Sequence, residues 1–284
     1  VHMPELPEVQ TIVSDLQSIV GDKITDFKTY WPKALQNIST KKFSSAIKNR
    51  KIKSIERFGK YAIINLEKNL AIVIHLRMTG KLLISTQVAS GKDQGLKEKH
   101  IRHVFYLRAA SRKPKTVLFS DVRKFATISL YDKKDLMNLK NKLGIDPLGK
   151  DYTPENFSDA IAKKPHKEIK DVLMDQTVIA GIGNIYASEI LFEAKISPHR
   201  KVKDLSREEI RSIYKFSMKV LKKAVKLRGT SVSDYRDASG SRGKFQHRLS
   251  VYKKHGQQCK KCDTIIEKST IGQRSAFYCP KCQH

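Results

Sequence analysis

The chain has 284 residues, which excludes a small stapled scaffold and allows two domains with cores of their own. Its 56 Lys and Arg against 28 Asp and Glu leave a formal charge of +28, a surplus that points to a polyanionic partner, in the first place nucleic acid. It has no apolar run of about 18 residues and no basic-then-apolar start, which argues against a membrane span or a secretion signal and predicts a cytoplasmic protein whose four cysteines are thiols rather than disulfides.

In chain order, "VHMPELPEVQ" sets two prolines and two glutamates around a helix start, where a proline costs little because the first amides have no partner. Val9, Ile12, Val13, Leu16, Ile19 and Val20 then recur at three- and four-residue spacing and predict an amphipathic helix that "VGDK" ends. From Lys51 the pattern turns to short runs rich in β-branched residues: "YAIINLE", "LAIVIHLRM", "KLLIST", "HVFYLRA", "TVLFSD" and "ATISLYD". These predict strands joined by polar turns such as "ASGKDQG" and "SRKPK", and together a sandwich or barrel.

The helical period returns from "DKKDLMNLKNKLG". In "SREEIRSIYKFSMKVLKKAVKLRG", Ile210, Ile213, Tyr214, Val220, Leu221 and Ala224 share one face, Ser206 and Glu209 are spaced as a capping box, and Gly229 stops the helix. The Gly- and Ser-rich "GTSVSDYRDASGSRGKFQHR" reads as a mobile loop. The fold class expected is α+β, with domains at 1–134 (helix and sheets), 151–248 (helical, carrying the loop) and 249–284 (finger), and a linker at 135–150.

At the C-terminus, Cys259-x2-Cys262 and Cys279-x2-Cys282 flank a segment that reads as a β-hairpin. Two such knuckles present four thiolates to one tetrahedral ion, so one structural Zn2+ is expected, with no position left open for catalysis. Arg274, beside Gly272 and Gln273 in the hairpin tip, reads either as a solvated turn residue or as a bidentate phosphate ligand.

Several motifs in this order resemble one family. They are "MPELPEV", "GKY" at 59–61, "HLRMTG" at 75–80, "DVRKF" at 121–125, "GIGNIYASEILF" at 181–192, and "GQR" inside a four-cysteine finger. Together they resemble the formamidopyrimidine-DNA glycosylases over nearly the whole chain, and Leu6 favours that branch over the endonuclease VIII branch. The resemblance implies an N-terminal β-sandwich, a helical domain with a helix–two-turn–helix element and a zinc hairpin. It also implies an enzyme that excises oxidised purines from duplex DNA and cuts the strand at the abasic site by β- and δ-elimination.

The residues take roles accordingly. Pro4, once first in the chain, is the nucleophilic secondary amine, because an α-amino group with a pKa of about 7.7–8 is far more often neutral than a lysine at about 10.4. Glu5 is the implied acid/base and Glu8 its support, although either reads equally as a partner of the helix N-terminus. Lys60, otherwise one more surface lysine, and His75 are implied to contact DNA beside the lesion. Met78, Arg123 and Phe125 are implied to fill the gap left by an extruded nucleotide, although Met78 and Phe125 alone would read as core residues. Asn184 and Tyr186 open a helix behind a glycine turn suited to a phosphate, with a helix cap as the other reading of Asn184.

Two features depart from the family. Val122 and Lys124 stand where many members have proline and a second arginine, which loses bidentate geometry beside Arg123. Val1 and His2 read as an extension ahead of an initiator Met3 that is removed before Pro4. With the three residues retained, the Pro4 nitrogen is an amide, and the chain is expected to bind DNA without catalysis. The partner expected is duplex DNA carrying a damaged base or abasic site, met by a monomer at the bacterial nucleoid. Two further readings fit the same residues: a non-catalytic, zinc-dependent binder of damaged DNA, and an enzyme of the same fold preferring oxidised pyrimidines.

Overall fold

The first helix, α1 (Leu6–Leu16), begins three residues ahead of the apolar repeat, because Pro7 needs no amide partner in the first turn and the Glu8 carboxylate accepts the Glu5 N–H at 2.8 Å. A single 3-10 turn, Gln17–Ile19, carries it to the loop. The computed structural model describes residues 3–85, 98–109, 114–232 and 235–284, so Val1, His2, the turn expected at "ASGKDQG" and the first three residues of "SRKPK" lie outside the described residues. It divides into two units, residues 1–139 with 227–244, and 140–226 with 245–284.

The first unit is a sandwich of two antiparallel four-stranded sheets. One has the order β1 (Lys23–Thr29), β6 (Ile101–Arg108), β7 (Pro114–Asp121), β5 (Gly80–Ser85). The other has β2 (Ile52–Phe58), β3 (Tyr61–Leu66), β4 (Ala71–His75), β8 (Thr127–Tyr131). Inward residues of both sheets, among them Phe27, Phe105, Phe119, Ile64, Ile74 and Ile128, form one core with Val9, Ile12 and Leu16 of α1 and with Phe43 and Ile47 of α2 (Thr40–Ile47). The outer face of the second sheet is covered by Leu136 and Leu139 of α3 (Lys133–Lys142), a helix that takes up part of the expected linker.

Strands β1 and β2 escape the period-two pattern for one reason. Each carries an irregularity, between Ile24 and Asp26 and between Ile52 and Ser54, which puts the inward residues Ile24/Phe27 and Ile52/Ile55 three apart, a helical spacing.

The second unit holds α4 (Pro154–Ala162), α5 (Ile169–Met174), α6 (Asn184–Ala194), α7 (Arg207–Lys226) and the hairpin of β9 (Glu267–Ile271) and β10 (Arg274–Tyr278). The expected capping box opens α7: Ser206 N–H donates to Glu209 Oε2 at 2.7 Å, and Glu209 N–H to Ser206 Oγ at 3.2 Å. α6 buries Ile185, Tyr186, Ala187, Ile190, Leu191 and Phe192 and is the hub of this unit. Among the described residues, no helix is long and apolar enough to cross a membrane.

The described part of the expected loop departs from expectation twice. Residues 227–244 belong to the first unit rather than to the helical one, and they are tied down rather than loose. Composition misses this because the ties are polar. Arg228 Nη2 reaches both Asp15 oxygens at 2.7 and 2.9 Å, and its Nε donates to Asp237 Oδ2 at 2.8 Å. Ala238 N–H reaches Asp15 Oδ2 at 3.1 Å, and Ile84 N–H donates to Ala238 O at 3.0 Å.

Candidate functional site

In the first unit the site is built on the start of α1. Pro4 is buried immediately before the N-cap, Glu5, which is extended (φ −99°, ψ −172°) and 2% exposed. Glu8, one turn on, is fully buried, and both its oxygens accept backbone amides: Oε2 that of Glu5, and Oε1 that of Thr230 at 2.7 Å. Gly229 lies against this carboxylate with φ +78°, and a Cβ there would stand 2.7 Å from Glu8 Oε1. Glu8 therefore fastens residues 229–230 to the helix that carries Pro4 and Glu5. The Tyr235 phenol is raised well above its usual pKa by burial and then by the Glu8 charge.

Lys60 follows Gly59 (φ +55°) in the two-residue turn between β2 and β3, and it is 6% exposed rather than the surface lysine its position suggests. His75 ends β4 with its ring edge-on to Tyr61 at 4.7 Å. Burial, then Arg77 and Lys60, lower its pKa to about 3, so the ring is neutral. Its Nδ1 accepts the Arg77 N–H at 3.0 Å, which leaves the proton on Nε2 as a donor.

Met78, Arg123 and Phe125 meet. The Arg123 guanidinium lies 4.8 Å over the Phe125 ring, and its Nη1 reaches Met78 Sδ at 3.4 Å. Phe125 is 51% exposed, so it is not a core residue. Asp121 joins the two loops that carry these side chains. Its Oδ1 takes the Thr79 hydroxyl and, at 3.2 Å, the Arg123 N–H, while Oδ2 takes the Ala126 N–H at 2.9 Å.

In the second unit, Gly183 is the N-cap and Asn184 the first residue of α6. The Gln176 side chain brackets the glycine turn before it, accepting Gly181 N–H at 2.9 Å and donating to Ile182 O at 2.8 Å. Asn184 Oδ1 accepts from Lys170 Nζ at 2.5 Å, and the same ammonium reaches Ser275 O of β10 at 3.2 Å. Lys170 is fully buried, a costly place for a charge unless its donors are satisfied, and here they join α5, α6 and the hairpin. As one basic residue among 56 it carries no signal in the sequence. The Tyr186 side chain is also fully buried, with its ring 5.6 Å from Phe245, so the contact with DNA expected of it is closed to the ring. Glu189 of the same motif accepts the amides of Ser250, Val251 and Tyr252 at 2.8–3.0 Å, although burial pushes its carboxyl up.

Arg274 is exposed at the hairpin tip. Gly272 (φ +53°) and Gln273 (φ +62°) both take the left-handed conformation, as a two-residue hairpin turn demands. The four cysteine sulfurs lie within 4.8 Å of one another, with Cys262 to Cys282 at 3.3 Å, Cys262 to Cys279 at 3.4 Å and Cys259 to Cys282 at 3.9 Å. Four thiolates each about 2.3 Å from one ion would be about 3.8 Å apart, so this is the donor set of a tetrahedral zinc. Four thiolates at this spacing repel one another and need a dication to balance them; burial and then the neighbouring thiols push Cys282 up, whereas hydrogen bonds from Thr264 lower Cys262.

Residues 3–128 match the formamidopyrimidine-DNA glycosylase N-terminal domain, residues 143–236 the H2TH domain of the same glycosylases, and residues 256–284 a zinc finger found in FPG and IleRS. A formamidopyrimidine-DNA glycosylase of Herpetosiphon aurantiacus is 38% identical over 283 residues, covering 99% of this chain and 100% of that one. A Lactococcus lactis FPG mutant solved in complex with a Fapy-dG containing DNA superposes with a TM-score of 0.88 at 33% identity, covering 99% and 100% of the two chains. The Lactococcus lactis Fpg in complex with an abasic site containing DNA gives 0.87 at 33% identity, covering 99% of each.

Proposed function

This chain belongs to the formamidopyrimidine-DNA glycosylases, base-excision repair enzymes with one structural zinc, and from that premise we propose that it removes oxidised purines and then cleaves the strand through the amine of Pro4. The observation that carries the reading is the start of α1, where Pro4 and Glu5 are held by a Glu8 whose two oxygens are already occupied by backbone amides. With both oxygens so held, Glu8 takes a positioning role, while the Glu5 carboxylate, which accepts the Glu8 N–H in the reciprocal capping box, stands next to Pro4 in the chain and takes the proton traffic.

With Pro4 first in the chain, its nitrogen attacks the sugar C1′, and the base departs with the glycosidic electron pair and takes up the proton that the amine sheds. Glu5 protonates the ring oxygen as the sugar opens, which leaves a C1′ iminium. The cation acidifies the C2′ proton, and its loss expels the 3′ phosphate; a second elimination expels the 5′ phosphate. Lys60 and the Nε2–H of His75 serve as donors to phosphates beside the lesion. Asn184, at the start of α6, and Arg274 bind the DNA backbone from the second unit. Arg123 meets the base left without a partner, while Met78 and Phe125 fill the stack. The substrate is duplex DNA met by a monomer in the bacterial cytoplasm.

The test is cleavage of duplexes with one 8-oxoguanine opposite each normal base, beside duplexes carrying an oxidised pyrimidine or an abasic site. Rapid cutting at 8-oxoguanine is expected, and Glu5→Gln should slow excision by about a hundredfold or more. Faster cutting at the pyrimidine lesion would replace the substrate class. Binding without cutting, by a chain that starts at Pro4, would leave a DNA-binding protein with no glycosylase role.

A further inference from the structure

The turn between β7 and β8 is held from one side by the Asp121 carboxylate, which accepts the amides of Arg123 and Ala126, and by Thr79 Oγ1, which accepts the same Arg123 N–H at 3.0 Å. Lys124, between them, is exposed and adopts φ +60°, a region that L-residues occupy when their surroundings hold them there. Its ammonium lies 4.2 Å from the ring centre of Trp31, the single tryptophan of the chain. Lys33 approaches the same ring at 5.6 Å.

Trp31 is half-buried on a fixed stretch of backbone. Tyr30 N–H donates to Arg102 O at 2.7 Å and Trp31 N–H to Thr29 Oγ1 at 3.2 Å. Trp31 O accepts Ala34 N–H at 3.1 Å, and Gln36 N–H donates to Ile128 O of β8 at 3.0 Å. Arg102 also donates from Nε to Asp121 O at 2.8 Å, so the platform and the turn share an anchor.

We propose that Trp31 is a positioning residue for the base opposite the lesion: its indole holds Lys124, and through it the turn that aims Arg123. This deepens the role given to Arg123 above and rests on that reading. It also gives the departure from a second arginine a physical sense, since a lysine over an indole face replaces forked hydrogen bonds as the fixing contact.

The pair is tested in a chain beginning at Pro4, with Trp31→Leu, Lys124→Met, the double variant and the conservative Lys124→Arg, which keeps the cation over the ring. Two quantities are read: indole emission of the free protein, and the ratio of single-turnover cleavage rates for 8-oxoguanine opposite cytosine and opposite adenine. Lys124→Met should shift the emission, and either single variant should lower the ratio about two- to fivefold. The double variant should lose no more than the larger single effect, and Lys124→Arg should keep both readouts.

An unchanged ratio for Trp31→Leu beside an active wild type, or single effects that simply multiply, would overturn the proposal. A wild type that neither cuts nor traps lesion duplexes overturns the family role instead. In that event, unchanged indole emission in Lys124→Met would overturn the contact as well.

Discussion

The two units solve the same problem, holding a short functional segment in place, by opposite means. In the second, four cysteines and a zinc fix a hairpin whose tip carries Arg274, and every ligand lies within a 24-residue stretch of sequence, 259–282. In the first, residues 227–244 are held against α1 by Glu8 and Asp15, partners more than 200 positions away in the chain. A metal site declares itself in spacing. A staple of hydrogen bonds between distant segments does not, although both serve to present side chains.

Removing the metal gives the largest expected effect. Zinc in isolated fingers contributes about 10–16 kcal/mol of apparent binding free energy, so Cys279→Ser or a chelator should unfold residues 256–284 outright. Hydrogen exchange should then report protection lost in the finger and kept in the sandwich, with bound zinc falling from one to none. Retained finger protection without metal would erase the contrast between the units.

A smaller break is expected from Gly229→Ala. The new Cβ would meet the Glu8 carboxylate at 2.7 Å from a backbone with φ +78°, at a cost of about 2–3 kcal/mol. Thermal melts should record the loss, with amide exchange rising over 227–244 while the finger is unaffected.

The third lever is a buried imidazole. His103 is fully buried between Phe27 and Phe119, with neither ring nitrogen hydrogen-bonded. Burial, then Arg102, lowers its pKa from 6.5 to about 4. The unfolded chain therefore binds a proton before the folded one does. Stability is intact above pH 6.5 and falls as the pH drops from there towards 4. Relative to wild type, His103→Phe should flatten this slope by about 2–3 kcal/mol between pH 7 and pH 4 and raise the melting temperature at neutral pH, since an unpaired polar group leaves the core. Parallel pH–stability curves for the two proteins would contradict it.

What could be read in advance follows the same division. The capping box of Ser206 and Glu209, the cysteine knuckles and strands such as Ile72–Ile74 are each written within a few neighbouring residues. Strands β1 and β2 are hidden by bulges that give them a helical spacing, and α2 by having only two buried apolar residues, Phe43 and Ile47. Lys170 and Trp31 acquire meaning only from what folding sets beside them, Asn184 and Ser275 for one and Lys124 for the other. The motif "GIGNIYASE" is legible as a unit, yet within it Tyr186 packs in the core while Glu189 caps the chain at 250–252.

Borohydride reduction on abasic duplex DNA, followed by peptide mapping of the crosslinked protein, bears most directly on the nucleophile. A chain beginning at Pro4 should give an adduct on the Pro4 nitrogen, and the same chain with Val1, His2 and Met3 retained should give none. An adduct mapped to a lysine side chain, or equal trapping by both chains, would contradict the role of the proline amine.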